Sequence, residues 1–397
     1  MRQECRGCGG RSLETVFEFG PMPLAGAFLS GTAAIATEER FPLTVHVCRD
    51  CALVQILDPI DPDVLFRDYA FSSSTVGPLV QHFDSYAQWL VDRYAPKRVV
   101  EFGCNDGILL APLKARGVTA VGVDISENIT AMARDKGLDV VTGYFNEPTA
   151  TSIASRVGPA DIVTGSNAFA HNDRPDTILQ AAAATLGDGG RLCLEVMYAG
   201  DLLEQLQWDT LYHEHLTFYS LSSIQILLKR FGFEVEHAER IPMHGGSLRL
   251  AARRGKVQAQ SSVEELLAYE RSSGIDRAQT WVDFGTRIVR KIEVVKRVFA
   301  ELGRNKRIWG YGAAGKATMW VNACGMDYLQ GMVDASPLRA GKLMPGTHTP
   351  ILFPAEFQKA NPDYVFITAW NYAGVITAKE NWYQGVWAVP LPDLRFF

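Results

Sequence analysis

Arg98-Val99-Val100-Glu101-Phe102-Gly103-Cys104-Asn105-Asp106-Gly107-Ile108-Leu109-Leu110 decides how the middle of the chain folds. A short apolar run enters a glycine-rich turn and leaves it as the start of an apolar helix. The next strand, Ala120-Val121-Gly122-Val123-Asp124, ends on an acid. Glycine lets a backbone approach a ligand closely, and an acid closing the second strand can accept hydrogen bonds from ribose hydroxyls. Glycine in such a turn often serves packing alone, but Asp124 stands where a ribose would need it. The pattern is E-x-G-x-x-x-G, not the G-x-G-x-x-G of a dinucleotide fold. It predicts an α/β, Rossmann-like domain.

Strand and helix signals alternate outward from this stretch. Gly137 to Phe145 reads as a strand reaching toward the base of the ligand. Ala160 to His171 reads as a fourth strand with its carboxyl-end loop, the edge where open α/β sheets bind ligands, and Leu186 to Glu195 enters a fifth. Upstream, Leu79 to Tyr94 has apolar residues at helical spacing. Before it, Leu65 to Ser74 mixes aromatic and hydroxyl side chains, unlike a plain linker.

Past the fifth strand comes Tyr212-His213-Glu214-His215. A neutral imidazole is suited to taking a proton near pH 7, and a carboxylate or phenol beside it can orient it. Taken alone, the string could be a short strand with His213 and His215 on one face and no chemistry. The nucleotide-type domain before it favours a catalytic role. A helix over Leu221–Phe231 and the stretch His244-Gly245-Gly246-Ser247-Leu248-Arg249 follow.

Ser261 to Arg304 is helical and charged, and predicts a helical pair connecting two lobes with its charges solvated. Arg307 to Lys316 then opens a second strand, glycine loop and helix, with Gly310, Gly312 and Gly315 in step. Strands ending near Asp334 and Asn371 come after it. Lys316 at a helix start can help hold a phosphate. An NAD domain is the first inference, but the remaining chain is too short for one plus a catalytic domain, so half a nucleotide site is expected.

Cys5-Arg6-Gly7-Cys8 and Cys48-Arg49-Asp50-Cys51 have the spacing that lets two thiolates grip one ion. Two such pairs make a closed four-sulfur site, as structural zinc requires. A redox disulfide pair and a nucleic-acid-binding ribbon are the rivals. Acids outweigh the nearby Arg2, Arg6, Arg11 and Arg49, which disfavours the ribbon. The 397 residues predict two or three domains. A net charge of −5 gives no sign of broad electrostatic binding to nucleic acid or anionic membrane. No apolar run reaches the length of a membrane span, and MRQECRGCGG lacks the apolar region of a signal peptide, so a cytoplasmic protein is expected.

The turn at Glu101–Gly107 resembles the S-adenosylmethionine (SAM) loop of class I methyltransferases. Together with the two cysteine pairs, SNAFAH, YHEHLTFYS, MHGGSLR, WGYGAAGKA and ITAWNY, it makes the whole chain resemble the sugar C-methyltransferases of deoxysugar pathways. That resemblance implies a zinc-binding module over residues 1–66, with Cys5, Cys8, Cys48 and Cys51 on a structural ion. It implies a SAM domain over 67–255, a helical connection over 256–304 and a smaller Rossmann-like α/β domain over 305–397. Glu101, Gly103, Asn105, Gly107, Asp124, Ile125, Tyr144, Phe145 and Asn167 would hold SAM. His244, Gly245, Gly246, Gly310, Tyr311, Gly312, Lys316, Asp334 and Asn371 would hold a nucleotide-linked 4-keto sugar, with dTDP favoured.

The same resemblance implies the catalytic set. His215 is the base that takes the proton from C3, oriented by Glu214, with Tyr212 or His171 stabilising the enolate oxygen and Tyr69 nearby. His213 is given no essential role. A monomer is expected, with neither nucleic acid nor membrane as partner. Two other classes stand beside this reading: a zinc-ribbon methyltransferase acting on RNA or protein, and an NAD-dependent sugar-nucleotide oxidoreductase.

Overall fold

The computed structural model describes residues 2–69 and 71–397. Among the described residues there are three sheets. The first is antiparallel, with β1 (Leu13–Pro23), β2 (Arg40–Cys48), β3 (Val54–Ile56) and, from far downstream, β9 (Thr217–Phe218), in the order β1-β2-β3-β9.

The second sheet holds β4 (Arg98–Phe102), β5 (Thr119–Asp124), β6 (Asp139–Thr142), β7 (Ala160–Ser166), β8 (Leu186–Met197), β10 (Phe233–Ile241) and β11 (Ser247–Arg254). Its order is β10-β11-β8-β7-β4-β5-β6. Pairings from β6 through β8 are parallel, and β11 runs antiparallel to β8 and β10. This is the class I methyltransferase sheet that the sequence resemblance implied. Val99, Val100 and Phe102 of β4 are all but fully buried. Removing each such side chain from water contributes about 1.5–3 kcal/mol. The helix Gly77–Tyr94 buries Leu79, Phe83, Tyr86, Ala87 and Leu90, a single helical stripe.

The third sheet contains β12 (Ile308–Tyr311), β13 (Met332–Val333), β14 (Ile351–Leu352), β15 (Tyr364–Ile367), β16 (Val386–Val389) and β17 (Arg395–Phe396). Its order is β14-β13-β12-β15-β16-β17, parallel except for the last strand.

The charged helical stretch divides into Ser261–Ser273 and Ala278–Leu302. The second helix is more than a solvated connector. Trp281, Phe284, Ile288, Val295 and Phe299 are buried along one face, and Gly285 lets β1 approach closely. A Cβ at Gly285 would lie 1.9 Å from the Val16 carbonyl oxygen. Phe299 packs edge-on against Phe366 of β15, so the helix ties the first sheet to the third. Among the described residues no helix is long and apolar enough to cross a membrane.

β4 is flanked by β5 and β7, and β12 by β13 and β15. Each first strand therefore sits at a topological switch point, where the loops beyond the strand ends part and leave a crevice. Both crevices open into one cavity of about 650 Å³.

Candidate active site

The glycine turn after β4 is shaped by close approach. Gly103 has φ +64, and a Cβ there would lie 2.3 Å from the Ala168 Cβ in the loop after β7. Asp124 accepts hydrogen bonds from the backbone N–H groups of Asn105 and Ser126, both at 2.9 Å. The Asn105 side chain accepts from the Ser73 N–H at 2.9 Å and donates to the Phe71 carbonyl at 3.1 Å. The aromatic stretch ahead of the Gly77–Tyr94 helix is thereby fastened over the turn. Asn128 holds Tyr69 by both its backbone N–H and its carbonyl, at 3.1 and 3.0 Å. Gly103, Asn105, Asp124, Ile125, Tyr144, Phe145 and Asn167 all line the cavity. Glu101 and Gly107 do not. Glu101 lies beneath the turn, 1 % exposed, and burial pushes its carboxyl well above the usual range.

Tyr212–His215 forms a turn, not a strand, closed by the His215 N–H donating to the Tyr212 carbonyl at 2.9 Å. The side chains therefore diverge. His215 Nδ1 lies 2.7 Å from the Thr210 carbonyl oxygen. That contact needs the proton on Nδ1 and leaves Nε2 with a free lone pair. Burial, and then the neighbouring His171, hold the His215 pKa well below its ordinary value, so the ring is neutral at pH 7. The Tyr212 and His171 rings lie 4.0 and 5.0 Å from the His215 ring, centroid to centroid.

Glu214 was expected to orient His215, but the Thr210 carbonyl does so. The Glu214 carboxyl instead faces the zinc-binding module: Oε1 would lie 2.9 Å from a Cβ at Gly26. Burial pushes its pKa up to about 7, a rise that the adjoining Gly26 backbone and Tyr69 oppose. His213 leaves the cavity altogether. Its Nε2 lies 3.2 Å from the carbonyl oxygens of both Phe41 and Pro42. With the pairing of β3 and β9, these contacts fix the turn against the first sheet.

The third sheet closes the cavity with Gly312, Gly315, Lys316, Arg339 and Asn371. A Cβ at Gly315 would lie 2.9 Å from the Tyr212 ring, so glycine permits the two loops to meet. His244 also lines the cavity, in a left-handed conformation at φ +54, and burial lowers its pKa to about 4. Gly245 and Gly246 border a second hollow of about 560 Å³ that shares His244 and Asn371 with the first.

Three residues expected from the third sheet are also away from the cavity. Gly310 is a packing glycine, with Met332 Sδ 2.5 Å from where its Cβ would be. Tyr311 is buried and donates to Glu380 at 2.6 Å. Asp334 acts through Arg339, which it holds at 3.1 Å. Arg339 lines the cavity without any motif having pointed to it, and Phe66, in the aromatic stretch of which only Tyr69 was assigned a role, lines it too.

All seven cysteines are free. The Sγ atoms of Cys5, Cys8, Cys48 and Cys51 all lie within 4.8 Å of one another, with Cys5–Cys51 at 3.5 Å and Cys8–Cys48 at 3.6 Å. Tetrahedral zinc with sulfur at 2.3 Å requires sulfurs about 3.8 Å apart, so the cluster fits that ion. The N–H groups of Gly7 and Gly10 and the Gln55 amide donate to Cys5 or Cys8 sulfur, the outer hydrogen bonds that thiolate ligands need.

The family description "Putative zinc binding domain" matches residues 5–66, "Methyltransferase domain" residues 81–238 and "C-methyltransferase C-terminal domain" residues 242–392. C-methyltransferase NovU of Streptomyces niveus is 34 % identical over 403 residues, covering 99 % of this chain and 96 % of that protein. The chain belongs to the C-methyltransferase family. It is a SAM-dependent C-methyltransferase with a structural four-cysteine zinc site. The ubiquinone biosynthesis O-methyltransferase of Bordetella pertussis (strain Tohama I) is 32 % identical over 96 residues, 24 % of this chain and 40 % of that protein. Among solved structures, magnesium protoporphyrin IX methyltransferase from Synechocystis PCC 6803 with bound SAH overlays with a TM-score of 0.35 at 22 % identity, covering 44 % of this chain and 83 % of that one. PH0226 protein from Pyrococcus horikoshii OT3 gives 0.38 at 14 %, covering 49 % and 97 %.

Proposed function

We propose that this C-methyltransferase methylates C3 of a nucleotide-linked 4-keto-deoxyhexose, by way of an enolate, in the biosynthesis of branched deoxysugars. The observation that carries the reading is the single cavity. It joins the glycine turn of the second sheet, the His215 Nε2 lone pair and the Gly312–Lys316 loop of the third sheet. A carbanion route needs a base, a methyl donor and a held ketone within one enclosure.

SAM, when bound, supplies an electrophilic methyl group. Gly103, Asn105, Asp124, Tyr144, Phe145 and Asn167 are the residues to hold it, with Asp124 at the ribose. His215 Nε2 takes the proton from the carbon beside the ketone, acidified by that carbonyl. Tyr212 and His171 face the same space, and Tyr69 with Glu214 closes the side nearest the zinc-binding module. Gly312, His244 and Asn371 border the nucleotide part, for which dTDP is our first choice. The zinc takes no part in the chemistry, because four thiolates leave it no open position.

Mass spectrometry of a panel of dTDP-, GDP- and CDP-linked 4-keto-6-deoxysugars incubated with enzyme and SAM tests the reading. One sugar nucleotide should gain a single methyl group on carbon. SAM binding without methylation of any panel member would overturn the proposal.

A further inference from the structure

Among the described residues, Lys316 is the one cation at the cavity whose charged atom is left without an acceptor. Its Nζ is buried and has no hydrogen-bond partner among the described residues, and it lies 4.6 Å from the centre of the Trp370 ring. Arg339 and Arg174 line the same cavity, but Asp334 and Asp176 pair with them at 3.1 and 2.7 Å. An ammonium removed from water without a partner costs several kcal/mol, so the fold keeps it at the expense of stability.

The surroundings hold that ammonium in place. Trp370 donates its indole N–H to Asp209 Oδ2 at 2.8 Å, and Trp320 donates to the same oxygen at 2.9 Å. Asp209 is fully buried in the short helical turn Trp208–Thr210, immediately before the His215 turn. Its other oxygen, Oδ1, has no hydrogen-bond partner among the described residues. The carboxylate thus fixes the ring on which Lys316 rests and supplies a counter-charge that it does not deliver by direct contact. Burial lowers the Lys316 pKa and Asp209 opposes that shift. Lys316 lines the same cavity as His215 and His244, and the residue before it, Gly315, meets the Tyr212 ring, which puts the lysine at the reacting end of the cavity.

We propose that Lys316 is a catalytic residue, its ammonium donating a hydrogen bond to the ketone oxygen of the substrate as that oxygen becomes an enolate. The C–H electron pair becomes the carbon–carbon double bond, the carbonyl π pair moves to oxygen, and the proton goes to His215 Nε2. The step is balanced and needs no further reagent. A charged donor in a water-excluded site answers charge that develops during the reaction more strongly than a neutral phenol or imidazole. The glycine motif suggests a phosphate at Lys316, but the meeting of the adjacent Gly315 with the Tyr212 ring, in the cavity that His215 lines, assigns it to the sugar ring instead. This inference rests on the keto-sugar reading above.

The test is exchange of the hydrogen α to the ketone in deuterated water, using a dTDP-linked 4-keto-6-deoxyhexose and S-adenosylhomocysteine (SAH). Lys316→Met keeps the apolar stem over Trp370. It should slow exchange and kcat by about 100–1,000-fold, as loss of one such donor does. KM for the sugar nucleotide, and the affinities for dTDP and SAH, should stay within a few-fold of wild type. Ethylammonium added to Lys316→Ala should restore part of the exchange. If dTDP affinity collapses while exchange at saturation stays normal, the residue holds phosphate and the proposal is wrong. Wild-type exchange in Lys316→Met would also refute it. No exchange by the wild-type enzyme on any 4-keto sugar would instead remove the underlying reading, and this inference with it.

Discussion

Gly103→Ala tests whether close approach of two loops builds the cofactor end of the cavity. Alanine at φ +64 costs roughly 1–2 kcal/mol from the left-handed backbone alone. Its Cβ would stand 2.3 Å from the Ala168 Cβ, whereas carbons pack at about 3.5–4.0 Å. The loops after β4 and β7 must then separate by more than about 1 Å, and such overpacking costs about 1–3 kcal/mol. The two terms together come to about 2–5 kcal/mol. Both loops line the cavity, so widening the gap should weaken SAH binding at least tenfold, about 1.4 kcal/mol. Adding Ala168→Gly removes the clash but not the backbone term. The double variant should therefore recover the steric share and remain about 1–2 kcal/mol less stable than wild type. Titration calorimetry with SAH and thermal melts of the four proteins read both quantities. Wild-type SAH affinity in Gly103→Ala, or no recovery on adding Ala168→Gly, would show that close approach of these loops does not shape the cofactor end.

Glu214 has a folded pKa near 7, above its unfolded value of 4.5, because burial disfavours the carboxylate. Its contribution to stability is complete below pH 4.5 and is lost as pH rises through 7, amounting to about 3 kcal/mol above that. Glu214→Gln should accordingly gain stability relative to wild type at pH 8 and not at pH 4.5, a difference that melts at the two pH values would reveal. Replacing Cys5 and Cys8 by Ser should lower zinc content and folding yield together. Loss of catalysis alone, with zinc and melting unchanged, would argue against a structural ion. His213→Phe removes the hydrogen bond to the Phe41 and Pro42 carbonyls from outside the cavity. It should cost about 1–3 kcal/mol of stability and lower kcat, with SAH affinity kept; an unchanged melting temperature would count against that support.

The strand, glycine turn and helix at Arg98–Leu110 were legible because local sequence determines them: an apolar run, then glycine where the backbone must turn. The four cysteines were equally legible, since their spacing alone fits one ion. The Tyr212–His215 turn was legible in its chemistry and not in its geometry. What shapes it comes from far along the chain: β3 beside β9, the Phe41 and Pro42 carbonyls at His213, and Gly26 at Glu214. The tautomer of His215 depends on a backbone carbonyl, at Thr210, which no side-chain motif encodes. The Gly310-Gly312-Gly315 spacing misled in part, because Gly310 serves packing against Met332 while only Gly312 and Gly315 reach the cavity. Arg339 went unnoticed because its partner Asp334 is what the strand pattern displays.

In the proposed reaction His215 removes the proton before the methyl group arrives. The most direct measurement is deuterium uptake at the carbon beside the ketone, by wild type and His215→Ala, with SAH bound and no methyl donor present. Wild type should exchange that hydrogen and His215→Ala should not, while both bind SAH equally. Exchange by His215→Ala at the wild-type rate would rule out His215 as the base.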